Sequence, residues 1–206
     1  MREVLEPWLG QAQFVQSQIA PKLKFRVNAE DGSDAPIRLK IEINTREIET
    51  FDTTITMPFR VENPWFTGQT DIATFSNEEL LATKLRALLQ RDKGRDLYDL
   101  AHALEVFKDL DVEKVVVLLG RYLAVTGLEI TRAQAQERML SKLARGNLIN
   151  DMTPLLTPDQ ADTFTDQTTR DAFLIIFYRL IEHFPGEDWA KLESVWTRFA
   201  LEKRVK

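Results

Sequence analysis

The spacing of apolar residues changes at Ser76 from every second residue to about one in 3.6, and this change fixes the fold class. Upstream of Ser76, short segments alternate between apolar and polar residues, as half-buried strands do. Downstream, leucines recur at helical spacing in several segments separated by turn residues. Strands followed by helices indicate an α+β protein. We therefore expect a β-rich region over residues 1–75 and an all-helical domain over residues 76–206.

Three strands are predicted in the β-rich region, at residues 23–27, 37–44 and 53–61, with Pro58 indicating an edge or a bulge in the third. Residues 30–36 have turn chemistry, so the first two strands are expected to form a hairpin. Residues 11–20 are predicted to form a short helix that ends at Pro21. The second strand would alternate between an apolar face, with Ile37, Leu39, Ile41 and Ile43, and a polar face, with Arg38, Lys40, Glu42 and Asn44.

The segment 78–100 is typical of two helices folded back on each other around Asp92-Lys93-Gly94. Residues 76–79 have the sequence of a capping box, which begins the first helix, and Gly94 interrupts the helical pattern. Lys84 lies nine residues before Lys93, and Asp99 lies six residues after it. At a rise of ~1.5 Å per residue, two antiparallel arms would place Lys84 and Asp99 within about one helical turn of the same height. We expect this cation and this carboxylate to face one pocket.

Four further helices are predicted at residues 111–125, 131–145, 168–184 and 187–203. Asp111 and Thr131 precede two of these segments and have side chains that cap helix N-termini. Gly146 follows the second segment and favours a helix stop, because glycine readily adopts the left-handed conformation. Residues 150–157 contain Pro154 and are predicted to form a loop.

Composition narrows the function classes. The net charge of −5 gives no overall attraction for nucleic acid, so any such contact needs a local basic patch. The absence of cysteine excludes disulfides and thiolate metal sites, and two histidines make a histidine-based metal site or triad improbable. The sequence shows neither an apolar run of the ~18–20 residues needed to cross a bilayer nor a signal-peptide core at its start. We therefore expect a cytoplasmic protein without a membrane partner.

Two segments resemble a known family. Lys84-Leu85-Arg86-Ala87, then Arg91, then Arg95-Asp96-Leu97-Tyr98-Asp99-Leu100 is similar to the signature of the AbiEii/AbiGii toxin family of nucleotidyltransferases. Residues 39–44 are similar to the earlier strand motif of that family. The resemblance covers residues 20–110 well and the remainder in architecture only. It implies a partial nucleotidyltransferase sheet of the DNA-polymerase-β type, followed by the helical domain.

The resemblance also implies a function. Family members are similar to enzymes that move a nucleotidyl group from a nucleoside triphosphate (NTP) to an acceptor. Characterised members are toxins of toxin–antitoxin pairs, and several modify the acceptor end of tRNA. For this chain the resemblance therefore implies an NTP substrate, an acceptor such as tRNA, a cognate antitoxin, Mg²⁺ as cofactor and a role in phage defence.

Carried over to this chain, the resemblance assigns catalytic roles to Lys84, Asp99 and Glu42. Lys84 would bind the triphosphate, since a lysine near the phosphates offsets charge in the transition state. Asp99 would orient Lys84 or act as the base, and Glu42 would be a metal ligand or an acid on the nucleophile side. Arg95 and Asp96, together with Lys40 beside Glu42, are the candidate phosphate-binding or substrate-binding residues.

Each of these residues also has a structural interpretation. Glu42 on a polar strand face is typical of a cross-strand ion pair, and Lys84 can extend its stem over apolar surface. Asp96 lies near the start of a helix, where the helix dipole favours an acid. Arg95 and Asp99 have the spacing of a surface pair on one helix.

The sequence departs from the family in one respect. Members carry a Gly-Ser turn that binds the triphosphate, followed about ten residues later by an Asp-x-Asp pair that holds two Mg²⁺. In this chain Gly32-Ser33-Asp34 has the dipeptide, but no Asp-x-Asp follows at that spacing. We expect the chain as given to be inactive or nearly so, as a truncated product, a product with a misplaced start, or one part of a site that another chain completes. The alternative is a non-catalytic remnant that binds a partner protein or RNA.

Overall fold

The structure is a computed structural model of the 206-residue chain and describes residues 1–17, 20–29, 35–45, 49–64, 66–146, 148, 152, 156–158 and 165–201. The Gly32-Ser33 dipeptide and most of the predicted loop at 150–157 lie outside the described residues. The chain divides into two compact units, Met1–Glu49 and Thr50–Lys206. The predicted boundary at residues 75 and 76 rests on the change from strands to helices. In the structure this change lies within the second unit, between Thr74 and Asn77.

The first unit contains helix α1 (Arg2–Leu9) and strands β1 (Gln13–Val15), β2 (Lys22–Asn28) and β3 (Pro36–Glu42). The strands form an antiparallel sheet in the order β1-β2-β3. The predicted strands at 23–27 and 37–44 are confirmed as β2 and most of β3. The predicted helix within residues 11–20 is wrong for residues 13–15, because that segment adds a strand to the exposed edge of β2.

The core of the first unit lies on one face of β2. Leu23 and Phe25 are buried there, and Leu5 and Leu9 of α1 pack against them. This packing fixes the strand register, since a slip of one residue would turn Leu23 and Phe25 to the opposite face. The polar residues of β2 and β3 consequently lie on the face that α1 does not cover.

The second unit begins with a two-stranded antiparallel sheet, β4 (Ile55–Glu62) and β5 (Thr67–Thr74). The third predicted strand is thus confirmed, with Pro58 opposite Asp71 in a sheet that leaves both strands at an edge. β5 has no counterpart in the sequence prediction. Its sequence, Thr-Gly-Gln-Thr-Asp-Ile-Ala-Thr, lacks apolar alternation, and most of its residues are exposed.

Within the described residues six α-helices follow: α2 (Asn77–Gln90), α3 (Gly94–Val106), α4 (Val112–Ala124), α5 (Arg132–Arg145), α6 (Asp166–Arg179) and α7 (Leu192–Arg198), with a 3-10 turn at Ile181–His183. The Asp111 and Thr131 side chains cap α4 and α5 as predicted, and Gly146 ends α5 at φ 65°. The predicted helices at 168–184 and 187–203 are shorter in the structure, and the α+β class is confirmed. No helix of the described residues is long and apolar enough to cross a membrane.

One apolar core joins the helices of the second unit. Its fully buried members include leucines of both arms of the hairpin formed by α2 and α3, together with the aromatic residues of α6: Leu81, Leu85, Leu88, Leu97, Leu100, Leu104, Phe173 and Phe177. The ring of Trp196 on α7 closes the core, with its centroid 4.6 Å from that of Phe177. The hairpin is therefore held from inside by packing, and most of its charged residues, apart from the buried Glu79 and Asp96, are at least partly exposed.

Candidate functional site

The hairpin is built by local signals at both of its ends. Ser76 Oγ accepts a hydrogen bond from the Glu79 N–H at 3.2 Å, which starts α2 as one half of the predicted capping box. Arg91 leaves the helix in an extended conformation, and Gly94 begins α3 after a turn of three residues. Because α2 and α3 pack directly on each other, residues on their facing sides come into contact.

Lys84 and Asp99 meet across the two arms. Lys84 Nζ donates to Asp99 Oδ2 at 2.6 Å, although the two residues are fifteen positions apart in sequence. Their side chains are 39% and 49% exposed. The pair is accordingly accessible to a ligand, and an anion such as a phosphate can compete with Asp99 for the ammonium group. The structure thus brings together two of the three predicted catalytic residues.

Asp96 is in a different environment from Asp99, three residues further along α3. Its carboxylate is 1% exposed, and both of its oxygens accept from Arg91, Nε and Nη2 each donating at 2.7 Å. This bidentate geometry ties the residue that ends α2 to the first turn of α3. The predicted role of Asp96 in substrate binding stays a prediction, and the contacts themselves are those of a residue that positions the hairpin turn.

Helix α5 supports the same turn. Lys142, a buried cation, donates from Nζ to the Arg91 carbonyl at 2.9 Å and to Asp92 Oδ1 at 2.5 Å. Arg145 adds a third contact, from Nη2 to Asp92 Oδ1 at 3.0 Å. The hydrogen bond from Lys142 lowers the pKa of the Asp92 carboxyl below its ordinary value. Arg91, Asp92 and Lys142 have no assigned role in the sequence prediction, since nothing in the local pattern indicates that a lysine of α5 reaches the turn.

Arg95 is exposed in the first turn of α3, and the described residues offer it no ion pair. Its predicted i, i+4 pair with Asp99 is not formed, because Asp99 pairs with Lys84 instead. An exposed guanidinium next to the hairpin turn is compatible with the predicted contact to phosphate.

The first unit contains the remaining candidates, Glu42 and Lys40, on the polar face of β3. Glu42 Oε2 lies 2.9 Å from Lys40 Nζ, and Glu42 Oε1 lies 3.2 Å from Lys22 Nζ on β2. These hydrogen bonds, first that of Lys40 and then that of Lys22, lower the pKa of the Glu42 carboxyl. The structural interpretation of Glu42 as a cross-strand ion-pair partner therefore describes its contacts, and its catalytic role stays a prediction.

The side chains that the structure describes do not form a donor set for a resident metal. Among the described residues, no group of three or more histidine, cysteine, aspartate or glutamate side chains lies close enough to hold an ion. Glu42, the predicted ligand, is held between two ammonium groups. No step of the chemistry is therefore assigned to a metal bound by these residues.

A second buried acid, Glu79, anchors the start of the second unit. Its Oε1 accepts from the Phe51 N–H at 2.6 Å and from the Tyr122 hydroxyl at 2.8 Å, while Oε2 has no partner among the described residues. Beside it, Asp52 Oδ2 lies 2.7 Å from Lys114 Nζ. The capping-box sequence predicts that Glu79 contacts the Ser76 N–H at the start of the helix. In the structure Glu79 instead contacts Phe51, which precedes β4, and Tyr122 of α4.

Comparison with known proteins gives one match. The family model described as nucleotidyl transferase AbiEii toxin, type IV toxin–antitoxin system, matches residues 2–173. No curated protein and no solved structure matches the chain. The family match confirms the resemblance that the hairpin signature indicates, and it extends beyond residues 20–110 to most of the chain. The chain belongs to the AbiEii family of nucleotidyltransferase toxins.

Proposed function

We propose that this protein takes part in the transfer of a nucleotidyl group from an NTP to an acceptor hydroxyl, with tRNA as the acceptor, and that it acts as the toxin of a pair with a cognate antitoxin. Family membership supports the toxin-like role and the nucleotide substrate. The single observation that carries the proposal is the half-exposed contact of 2.6 Å between Lys84 Nζ and Asp99 Oδ2. The proposal includes a cytoplasmic location, because it takes tRNA and NTPs as substrates.

The reaction forms a bond between the acceptor oxygen and the α-phosphorus. It breaks the bond from that phosphorus to the oxygen that bridges to the β-phosphate, so that pyrophosphate leaves and the acceptor hydroxyl loses its proton. The Lys84 ammonium group, which has three N–H donors, contacts a phosphate oxygen and offsets the charge that develops there. Asp99 then either holds the ammonium group in place or accepts the proton. Arg95 adds a further cation for the phosphates.

The proposed dependence on Mg²⁺ rests on family membership alone. The carboxylates that hold the ion would be additional to the described side chains, since these form no metal cluster. Because the sequence carries no Gly-Ser turn followed by Asp-x-Asp at the family's spacing, we also propose that residues 1–206 by themselves transfer little or no nucleotide.

The test begins with nucleotide binding, which requires no turnover. Isothermal titration calorimetry measures the binding of each of the four NTPs to the wild type and to Lys84→Met. The control variant, Lys108→Met, removes an exposed lysine after α3. Loss of a charge-assisted contact worth ~1.5–3 kcal/mol weakens NTP binding about 10- to 100-fold in Lys84→Met. Lys108→Met binds as the wild type does. Equal affinities of wild type and Lys84→Met would refute the role of Lys84.

A transfer assay with α-labelled NTP and pooled tRNA tests the second part. Residues 1–206 are expected to show little incorporation, with or without Mg²⁺, and clear incorporation when the missing motif is joined to the chain. Transfer by residues 1–206 alone that disappears in Lys84→Ala would show that the motif is dispensable, and the proposed inactivity would be wrong.

The alternative, a non-catalytic remnant, is favoured by the same ion pair, because a closed Lys84–Asp99 contact also clamps α2 to α3. It predicts a large loss of thermal stability in Asp99→Ala and no effect of Mg²⁺–NTP on the melting temperature of the wild type. The nucleotidyltransferase proposal predicts the reverse, a small loss on substitution and a higher melting temperature with the nucleotide.

A further inference from the structure

On the polar face of the first unit, positively charged residues lie directly opposite each other on neighbouring strands. In the β2–β3 hairpin, Lys24 is directly opposite Lys40, and Arg26 is directly opposite Arg38. Like charges at directly opposite positions destabilise a sheet. The strands cannot escape this repulsion by a slip of one residue, because that slip would expose Leu23, which is buried on the other face.

Among the described residues, acidic side chains compensate this charge only at the end of the hairpin where Glu42 lies. Glu42 pairs with Lys22 and Lys40. Lys24, Arg26 and Arg38 are exposed, and the described residues give none of the three an ion-pair partner. This excess of cations stands out in a chain whose net charge is −5.

The same face forms a shallow cavity of about 430 Å³. It is lined by Phe25 and Leu39 and by six polar side chains, which are those of Lys24, Arg26, Arg38, Lys40, Gln11 and Gln13. Gln13 is opposite Lys24 in the pairing of β1 with β2. All six side chains can donate hydrogen bonds, and α1 packs on the opposite face of the sheet. The cavity thus offers several hydrogen-bond donors, and none of its described lining residues carries a carboxylate.

We propose that this face, which we call the basic ladder (Lys24, Arg26, Arg38 and Lys40), binds the phosphate backbone of a single-stranded segment of RNA. Its two rows of cations are about 7 Å apart along the strands, which suits an extended polyanion better than one enclosed phosphate group. The polar face of β2 and β3 has no aromatic residue on which bases stack, so the contact is independent of base sequence and depends strongly on salt.

The choice of RNA rests on the proposed function, in which RNA is the acceptor. In that reaction the ladder would contact the phosphate backbone of the acceptor RNA. Binding by the ladder needs no nucleotide and no turnover. Its test therefore remains decisive even if the protein proves to have no transferase activity.

Fluorescence anisotropy with a labelled RNA of about 16 nucleotides, enough for one site, measures binding by the full chain without NTP. Arg26→Gln/Arg38→Gln is expected to weaken binding about tenfold at roughly 0.1 M salt, and to reduce the slope of log K against log salt by about 1.4. The matched control, Arg60→Gln/Arg198→Gln, removes the same charge at exposed positions of the second unit. It is expected to bind within about twofold of the wild type.

A second variant separates binding from folding. Arg38→Glu places an opposite charge across from Arg26, so the melting temperature should stay equal or rise while RNA affinity falls. Inorganic triphosphate is titrated in parallel. Unchanged RNA affinity in the double variant, or an equal loss in the control, would overturn the proposal. Loss of triphosphate binding with unchanged RNA binding would also overturn it and assign the ladder to the NTP.

Discussion

Asp96 and Asp99 lie one turn apart on α3, and replacing each by asparagine is expected to have very different effects on stability. Asp96 is 1% exposed and gives both carboxylate oxygens to Arg91, whereas Asp99 is 49% exposed and gives one to Lys84. The chemical change is the same in both variants and the helix is the same. Any difference therefore reports the environment of the carboxylate.

The magnitudes follow from burial. Breaking a fully buried pair costs ~3–5 kcal/mol, but Arg91 is 50% exposed and can turn to water once its partner is neutral. With two hydrogen bonds between opposite charges reduced to one bond from the Arg91 guanidinium to a neutral amide oxygen, Asp96→Asn should destabilise the second unit by ~2–3 kcal/mol. Asp99→Asn removes an exposed pair, and its cost is ~0–1 kcal/mol.

Thermal unfolding followed by far-UV circular dichroism measures both variants, because the helical signal comes mostly from the second unit. At about 2–4 °C per kcal/mol for a chain of this size, Asp96→Asn should lower the melting temperature by about 4–12 °C. Asp99→Asn should lower it by less than about 4 °C. Losses that agree within about 0.5 kcal/mol would refute the reasoning, since burial would then not set the strength of these pairs.

Two further predictions concern the start of the second unit. The hydrogen bond from Lys114 is the largest cause that lowers the pKa of Asp52 from 3.8 to about 2. A carboxyl with a depressed folded pKa adds stability above its unfolded value, so this contribution is lost as the pH falls from about 4 towards 2. Denaturation across this range should show a weaker pH dependence in Asp52→Asn. Separately, Glu79→Ala leaves the Phe51 N–H and the Tyr122 hydroxyl without their acceptor and should cost ~2–4 kcal/mol in urea unfolding, against ~1 kcal/mol for Tyr122→Phe.

The sequence predicts well those parts of the fold that local chemistry decides. The N-caps at Asp111 and Thr131 and the stop at Gly146 need only neighbouring residues, and all three occur in the structure. The predicted interruption falls at residues 91–93, and Gly94 itself begins α3. The two strands of the β2–β3 hairpin follow from simple alternation. By contrast, β1 and β5 form by pairing with strands that are already present, so their own residues carry little signal of a strand.

The site shows the same division. The order of Lys84, Arg95, Asp96 and Asp99 identifies the hairpin and the family from sequence alone. Tertiary packing determines the partner of each charge. Asp96 and Asp99 have similar sequence contexts, yet Asp96 is buried and Asp99 is exposed. No local pattern indicates which of the two carboxylates is buried.

The contact of Lys142 with the hairpin turn links two distant parts of the chain thermodynamically. Opening α5 removes the donor that holds the Arg91 carbonyl and the Asp92 carboxylate, and a ligand that fixes the turn opposes that opening. The amides of α5 should therefore exchange with deuterium more slowly when an NTP is bound to the hairpin. Hydrogen exchange in α5 would then report occupancy of the site directly, before any acceptor or product is known.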